Sequence, residues 1–188
     1  MKTDTYHHGN LKEELIERGL EYINRHGTEN LSMRKLAESA GVSPAAPYAH
    51  FKNKEVFLTA VRDYITERFY LTLKETADHC TDPSKVLVEL GKSYVAFFYE
   101  NPLYYGFLFS RDDIDTTTYP PFLLFQSIAE NVIDNTSDVR LSDSDRHAKV
   151  IALWSGVHGL ASVVRIKGAV DTDNLNGEVE RILGSVKL

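Results

Sequence analysis

The sequence predicts an all-α protein, and three observations carry that expectation. Apolar residues recur at three- and four-residue spacing along most of the chain, the period of a helix with one buried face. Two-residue alternation and β-branched runs, the marks of strands, are scarce. The periodic segments are also punctuated by cap residues, glycines and prolines where helices start and stop. About nine helices are expected.

Asn10 suits the N-cap of the first, with Glu13 three residues on to reach back to it. Leu11, Leu15, Ile16, Leu20 and Ile23 form its apolar stripe. Gly27 ends it behind Arg25 and His26, whose charges suit the negative end of the helix dipole. Ser32 caps a short second helix carrying Leu36, Ala37 and Ala40, and Gly41 stops it. Next comes "GVSPAAPYAHFKNKE", positions 41–55, with two prolines three residues apart. Ser43 reads as an N-cap and Pro44 as the first helical residue, where a missing donor costs nothing. Pro47 is then the fourth, barely past the orphan amides. The prolines therefore confine this third helix to about two turns and leave its N-terminal end open.

Asn53 caps a long helix from Lys54 toward Asp78, with Phe57, Val61, Ile65 and Phe69 or Tyr64 inward. Asp82-Pro83 starts the next, bearing Leu87, Leu90, Tyr94, Phe97 and Phe98. Asn101-Pro102 starts a shorter aromatic one, and 111–118 read as an exposed loop. Helices near 119–135 and 143–167 follow, then Gly168, then a last helix near 174–186.

Composition narrows the function classes. The chain has 188 residues, 43% hydrophobic, which is enough for a core. No run approaches the roughly 20 apolar residues of a membrane span, and no apolar run follows the first five residues, so neither membrane nor secretory leader is expected. The single cysteine, Cys80, allows no intrachain disulfide and suits a reducing cytoplasm. No histidine pair shows metal spacing with a carboxylate, and no phosphate loop or nucleophile elbow appears. Neither metal nor cofactor nor catalytic residue is expected, and an enzyme is the weakest reading.

The net charge of −6 hides an asymmetry. Residues 1–54 hold eight Lys/Arg against seven Asp/Glu, whereas 55–188 hold thirteen against twenty. Within 32–54, Arg34, Lys35, Lys52 and Lys54 face Glu38 alone. Such a patch can meet a phosphate backbone even on an acidic protein. A short helix with an open N-terminal end after a glycine turn is also how a helix-turn-helix enters the major groove. Ala45 and Ala46 are small enough to approach a thymine methyl, and Tyr48 and His50 can donate to phosphates. Lys54 adds a charge beside free helix amides, and Arg34 can reach backbone or base. Spacing alone leaves a helix pair that never touches DNA as the alternative.

The stretch "LSMRKLAESAGVSPAAPYAHFKNKEVFLTAV", 31–61, closely resembles the DNA-binding domain of TetR-type transcriptional regulators. Ala40-Gly41-Val42-Ser43, Tyr48, His50-Phe51 and Lys54 occupy the places of that family's pattern. "YHHGNL", 6–11, and "WSGVHG", 154–159, resemble the N-terminal arm and the Trp–His–Gly signature of one subgroup. Ala49 departs from the pattern, standing where many members carry a large or basic residue, and Pro44 with the two alanines leaves few polar groups for base readout. Specificity then leans on Arg34, Ser43 and DNA shape. The resemblance implies a cytoplasmic homodimer in which 1–54 bind operator DNA through the helix-turn-helix and 55–188 dimerise and hold a small-molecule effector. Ligand binding then acts through the helix that begins at Lys54 and releases DNA, making a repressor the family's usual role. A helical small-molecule-binding protein without DNA binding remains the alternative.

In the C-terminal part, residues 94–125 are rich in aromatics, and the tyrosines among them need hydroxyl partners when buried. Tyr94, Phe98, Tyr105, Phe109 and Phe122, with Trp154 and His158, are the candidate effector site; a plain aromatic core is the alternative. On the helix at 143–167, Ala148, Ala152, Ser155, Gly159 and Ser162 share one face of small residues, expected to be the dimer seam. Val150, Trp154, Val157 and Ala161 lie opposite, with His147, Trp154, His158 and Arg165 near one ridge.

Overall fold

The computed structural model describes residues 11–109, 114–137 and 140–185. These residues form eight α-helices and one 3-10 turn, and no strand occurs among them. The helices are α1 (Leu11–His26), α2 (Met33–Ser39), α3 (Lys54–His79), α4 (Val86–Glu100), α5 (Pro102–Phe109), α6 (Pro120–Thr136), α7 (Asp143–Val163) and α8 (Leu175–Ser185); the 3-10 turn, Ala46–Ala49, lies between α2 and α3. The expected cap at Asn10 and most of the "YHHGNL" arm fall outside the described residues, as do 111–113 of the expected exposed loop; its described part, Asp115–Thr118, is exposed.

Two compact units are distinguished, 1–65 and 66–188, so α3 runs through the boundary. Its buried residues are spaced by four: Phe57, Val61, Ile65, Phe69 and Leu73. At 3.6 residues per turn, each step of four advances about 40° around the helix axis. The apolar stripe therefore winds around α3, and one helix supplies both cores.

In the first unit, Leu15, Ile16 and Leu20 of α1 are buried with Leu36 and Ala37 of α2 and Phe57 and Val61 of α3. Gly27 and Gly41 end the first two helices at φ +82° and +67°, a conformation that costs a residue without a Cβ nothing. Ser32 Oγ accepts from Lys35 N at 3.3 Å and Asn53 Oδ1 accepts from Val56 N at 2.9 Å, the side-chain caps expected for α2 and α3.

In the second unit, α4 packs against α7 and α8 and is joined to α8 by charge. Lys92 Nζ lies 2.7 Å from Glu180 and 2.8 Å from Glu89, and the ammonium is held in its charged form by both carboxylates, Glu180 first. Helix α4 begins at Val86, later than Asp82-Pro83 suggests. The Asp82 carboxylate accepts from Ser84 N and Ser84 Oγ, closing a side-chain turn that competes with the helix. Helix α7 ends at Val163, short of the expected 167, and the chain turns onward to Gly168 at φ +81°.

Candidate DNA interface and effector site

The third helix does not form as the sequence suggests. Ser43 caps nothing and Pro44 does not open a helix; Ala46–Ala49 make one 3-10 turn with Ala45 at its N-cap position. Pro47 decides this. An α-helix begun at Pro44 would need a Pro47 amide, which does not exist, and would press the ring on the Ser43 carbonyl. That carbonyl instead accepts from Ala46 N at 3.0 Å, and the three-residue pattern continues in Tyr48 N to Ala45 O at 3.1 Å and His50 N to Pro47 O at 3.1 Å.

The turn nonetheless has two sides. Pro47 and Phe51 are buried, and Phe51 meets Phe57 edge-on at 5.1 Å. Ser43, Pro44, Ala45, Tyr48 and His50 are exposed, Tyr48 by 57%. Ala46 is half-buried, which leaves it the least available of the group.

The cations beside it are engaged locally. Arg34 Nε donates to Glu38 Oε1 at 3.0 Å, but both side chains are largely solvated, so the pair contributes little. Lys54 Nζ lies 3.4 Å from the Glu29 carbonyl and Lys35 Nζ 2.9 Å from the Asn30 carbonyl. Two ammonium groups from different helices thus converge on one loop. Lys35 also sits 5.8 Å from the Tyr22 ring centroid. In the sequence Lys35 reads only as charge. Its pairing with the loop has no local signal, because Asn30 reaches it through the fold of the turn.

In the second unit, Tyr94, Phe98, Tyr105, Phe109, Phe122, Trp154 and His158 come together, drawn from α4, α5, α6 and α7. Trp154 meets Tyr94 and Phe122 edge-on, each at 5.2 Å. Phe98 meets Tyr105 at 5.3 Å and Phe109 at 5.5 Å, and Phe109 meets His158 at 4.5 Å. Edge-to-face contacts of this kind add to burial. Two further rings belong here. Phe69 of α3 packs on Tyr94 at 4.8 Å, and Phe125 on Trp154 at 5.2 Å. Phe125 also lines an apolar hollow of about 190 Å³ with Leu87, Val88, Leu153, Val157 and Leu183. His147 and Arg165, placed by helical spacing on the same ridge as Trp154 and His158, are exposed.

Three polar groups thread the cluster. Tyr94 Oη lies 2.8 Å from His158 Nδ1, and Tyr105 Oη 3.1 Å from His158 Nε2. Tyr94 is 2% exposed, and burial pushes its hydroxyl well above the ordinary phenol range, so it keeps its proton. Burial also lowers His158, which favours the neutral ring. With the Tyr94 hydroxyl donating to Nδ1, the remaining ring proton sits on Nε2 and points at Tyr105. Burial raises Tyr105 as well, against a smaller opposing hydrogen bond from Ser162. The arrangement is a fixed donor set among ring faces, with no group poised for chemistry. Among the described residues no cluster of three or more metal-ligating side chains occurs, and no helix is long and apolar enough to cross a membrane.

Residues 15–61 match the model of the bacterial regulatory proteins of the tetR family. Over 52 residues the chain is 44% identical to the tetracycline repressor protein class C of Escherichia coli, a stretch covering 28% of this chain and 24% of that protein. Over 92 residues it is 29% identical to an uncharacterized HTH-type transcriptional regulator of Haemophilus influenzae, covering 49% of each. The chain thus matches half or less of the length of these curated relatives. Among solved structures, a protein of unknown function from Rhodococcus sp. RHA1 is similar with a TM-score of 0.74 at 21% identity, covering 96% of this chain and 95% of that one. A TetR-family transcriptional regulator from Haemophilus influenzae gives 0.70 at 20%, covering 95% and 97%. The TetR-family regulator PfmR from Thermus thermophilus gives 0.69 at 17%, covering 93% and 99%. At these identities the structures establish a shared fold.

Proposed function

We propose that the chain belongs to the TetR family and is a ligand-responsive DNA-binding regulator rather than an enzyme, acting in the cytoplasm as a homodimer on palindromic operator DNA. The observation that carries the reading is the two-sided 3-10 turn: Pro47 and Phe51 anchor it while Ser43, Ala45, Tyr48 and His50 stand exposed. The turn reaches the major groove, with Ser43, Pro44, Ala45 and Ala46 toward base edges and Tyr48 and His50 on phosphates. Arg34 exchanges Glu38 for DNA, and Lys54 exchanges the Glu29 carbonyl for a phosphate.

The dimer forms through α7. Ala148, Ala152, Ser155, Gly159 and Ser162 are all exposed in the single chain, which supports that seam. Two turns related by a two-fold axis should select an inverted repeat with half-sites about 34–36 Å apart or slightly more. Selection from random duplexes tests this; a monomer at micromolar concentration that enriches no inverted repeat would refute it. Lys54→Ala should weaken binding alike on all sequences and lower the salt slope by about one for each phosphate that is no longer neutralised. An unchanged slope would remove Lys54 from the interface.

The effector site is the aromatic cluster, opened by a small molecule that meets the Tyr105–His158 edge and presses on Trp154. The Trp–His–Gly subgroup reading is supported by Trp154 and His158 both packing on Tyr94 in this cluster. The lone tryptophan gives the readout. Its fluorescence should respond to any metabolite that releases DNA, and Tyr105→Ala should blunt release while leaving operator affinity intact. Coupling is reciprocal, so an effector that weakens DNA binding tenfold binds the DNA complex tenfold more weakly. A repressor is the role that the resemblance of residues 31–61 to TetR-type regulators supports.

A further inference from the structure

The turn after α7 lines an open polar hollow of about 290 Å³ that the aromatic cluster does not share. Tyr99 of α4 forms one wall, and Arg165, Lys167, Gly168 and Thr172 form the other. No acidic residue lines it. The lining thus runs against the charge of residues 55–188, which hold twenty acids and thirteen Lys and Arg.

Arg165 is held in place. Its Nη1 donates to the Tyr99 carbonyl at 3.0 Å, and the guanidinium carbon lies 5.8 Å from the Tyr99 ring centroid. A cation at a helix C-terminus ordinarily serves that helix's own last carbonyls. Arg165 instead reaches across to α4, which leaves most of its five N–H donors unspent. Among the described residues neither Arg165 nor Lys167 has an acidic partner. Asp171, the acid nearest in sequence, accepts from Asp173 N at 3.0 Å. Two like charges lining one hollow disfavour each other until an anion joins them. Gly168, at φ +81° and with nothing within 4 Å of a would-be Cβ, keeps that wall free of a side chain.

We propose that this hollow binds a small oxyanion, a phosphate or a carboxylate, gripped by the Arg165 fork, the Lys167 ammonium and the Thr172 hydroxyl. The planar fork of arginine matches two oxygens of such a group at once. The site is separate from the effector cluster, and its occupancy does not depend on DNA binding.

Nuclear magnetic resonance of the ¹⁵N-labelled full chain tests it. Inorganic phosphate and acetate are titrated separately at constant ionic strength set with chloride. The Gly168 amide and the Arg165 Nε–H should shift along a saturating curve with at least one of them, and that one names the class. In Arg165→Gln/Lys167→Gln the same curve should move at least tenfold to higher concentration. Linear shifts, equal shifts with chloride alone, or a double variant that binds unchanged would each overturn the proposal. If the double variant does not fold, Lys167→Gln alone is read in the same way, and an unchanged curve is again a refutation.

Discussion

Gly19→Val should destabilise the first unit by about 2–3 kcal/mol, the upper part of the roughly 1–3 kcal/mol of overpacked cores, and abolish operator binding with it. Gly19 is buried in α1, and a Cβ there would overlap Phe57 Cζ, lie 2.9 Å from Phe57 Cε1 and 3.1 Å from Leu36 Cδ1. The Phe57 ring has no room to yield, because it is fully buried and stacked edge-on against Phe51. Phe51 in turn supports the 3-10 turn, and Phe57 lies one turn beyond Lys54. Displacing these rings therefore moves the groups assigned to DNA. Since whole domains are stable by only about 5–15 kcal/mol, the loss should show in thermal unfolding by circular dichroism. Gly106→Ala is the control. A Cβ there meets nothing within 4 Å, so the change should be neutral or stabilise α5 by about 0.5–1 kcal/mol. A Gly19→Val protein that melts with the wild type would show that the α1–α3 packing is looser than described.

His158→Phe is expected to have the next largest effect, and its signature is pH dependence. The substitution leaves the buried Tyr94 hydroxyl without its acceptor, a loss of about 1–3 kcal/mol at neutral pH. The wild-type histidine is lowered in the folded state by burial. The unfolded chain therefore takes up the proton first, at a pKa of about 6.5. Wild-type stability is fully present above that value and falls as pH drops through the window down to the folded pKa, by at most about 1.4 kcal/mol per pH unit. Phenylalanine cannot titrate, so urea unfolding should show the gap between the two proteins narrowing from about pH 7.5 to about pH 5. Parallel curves across that range would mean that the ring is solvated in the folded state.

Much of the helical frame is legible in the chain. Ser32 and Asn53 cap, Gly27 and Gly41 stop, and Pro102 opens α5 as local chemistry requires. The spacing of four from Phe57 to Leu73 already contains the winding stripe of α3. The partners of Arg34, Lys35 and Lys54 were less legible. Glu38 lies one turn from Arg34 and is readable from the i,i+4 rule, but Glu29 is 25 residues from Lys54.

The sequence by itself determined an all-α chain, the caps at Ser32 and Asn53, the stops at Gly27 and Gly41, the start at Pro102, and the residues that carry the TetR-type pattern. These depend on neighbours within one or two turns, and the 3.6-residue period fixes which side chains share a face. Tertiary structure decided the rest. It turned Pro47, whose missing amide already blocks the four-residue bond, inward beside Phe51, and so anchored the 3-10 turn on the core. The joining of Tyr94 and Tyr105 to His158 spans 64 and 53 residues of chain. No local propensity encodes such distances. They arise because burying the aromatic faces of α4, α5, α6 and α7 together removes the most apolar surface from water, and the polar atoms carried inside must then find one another.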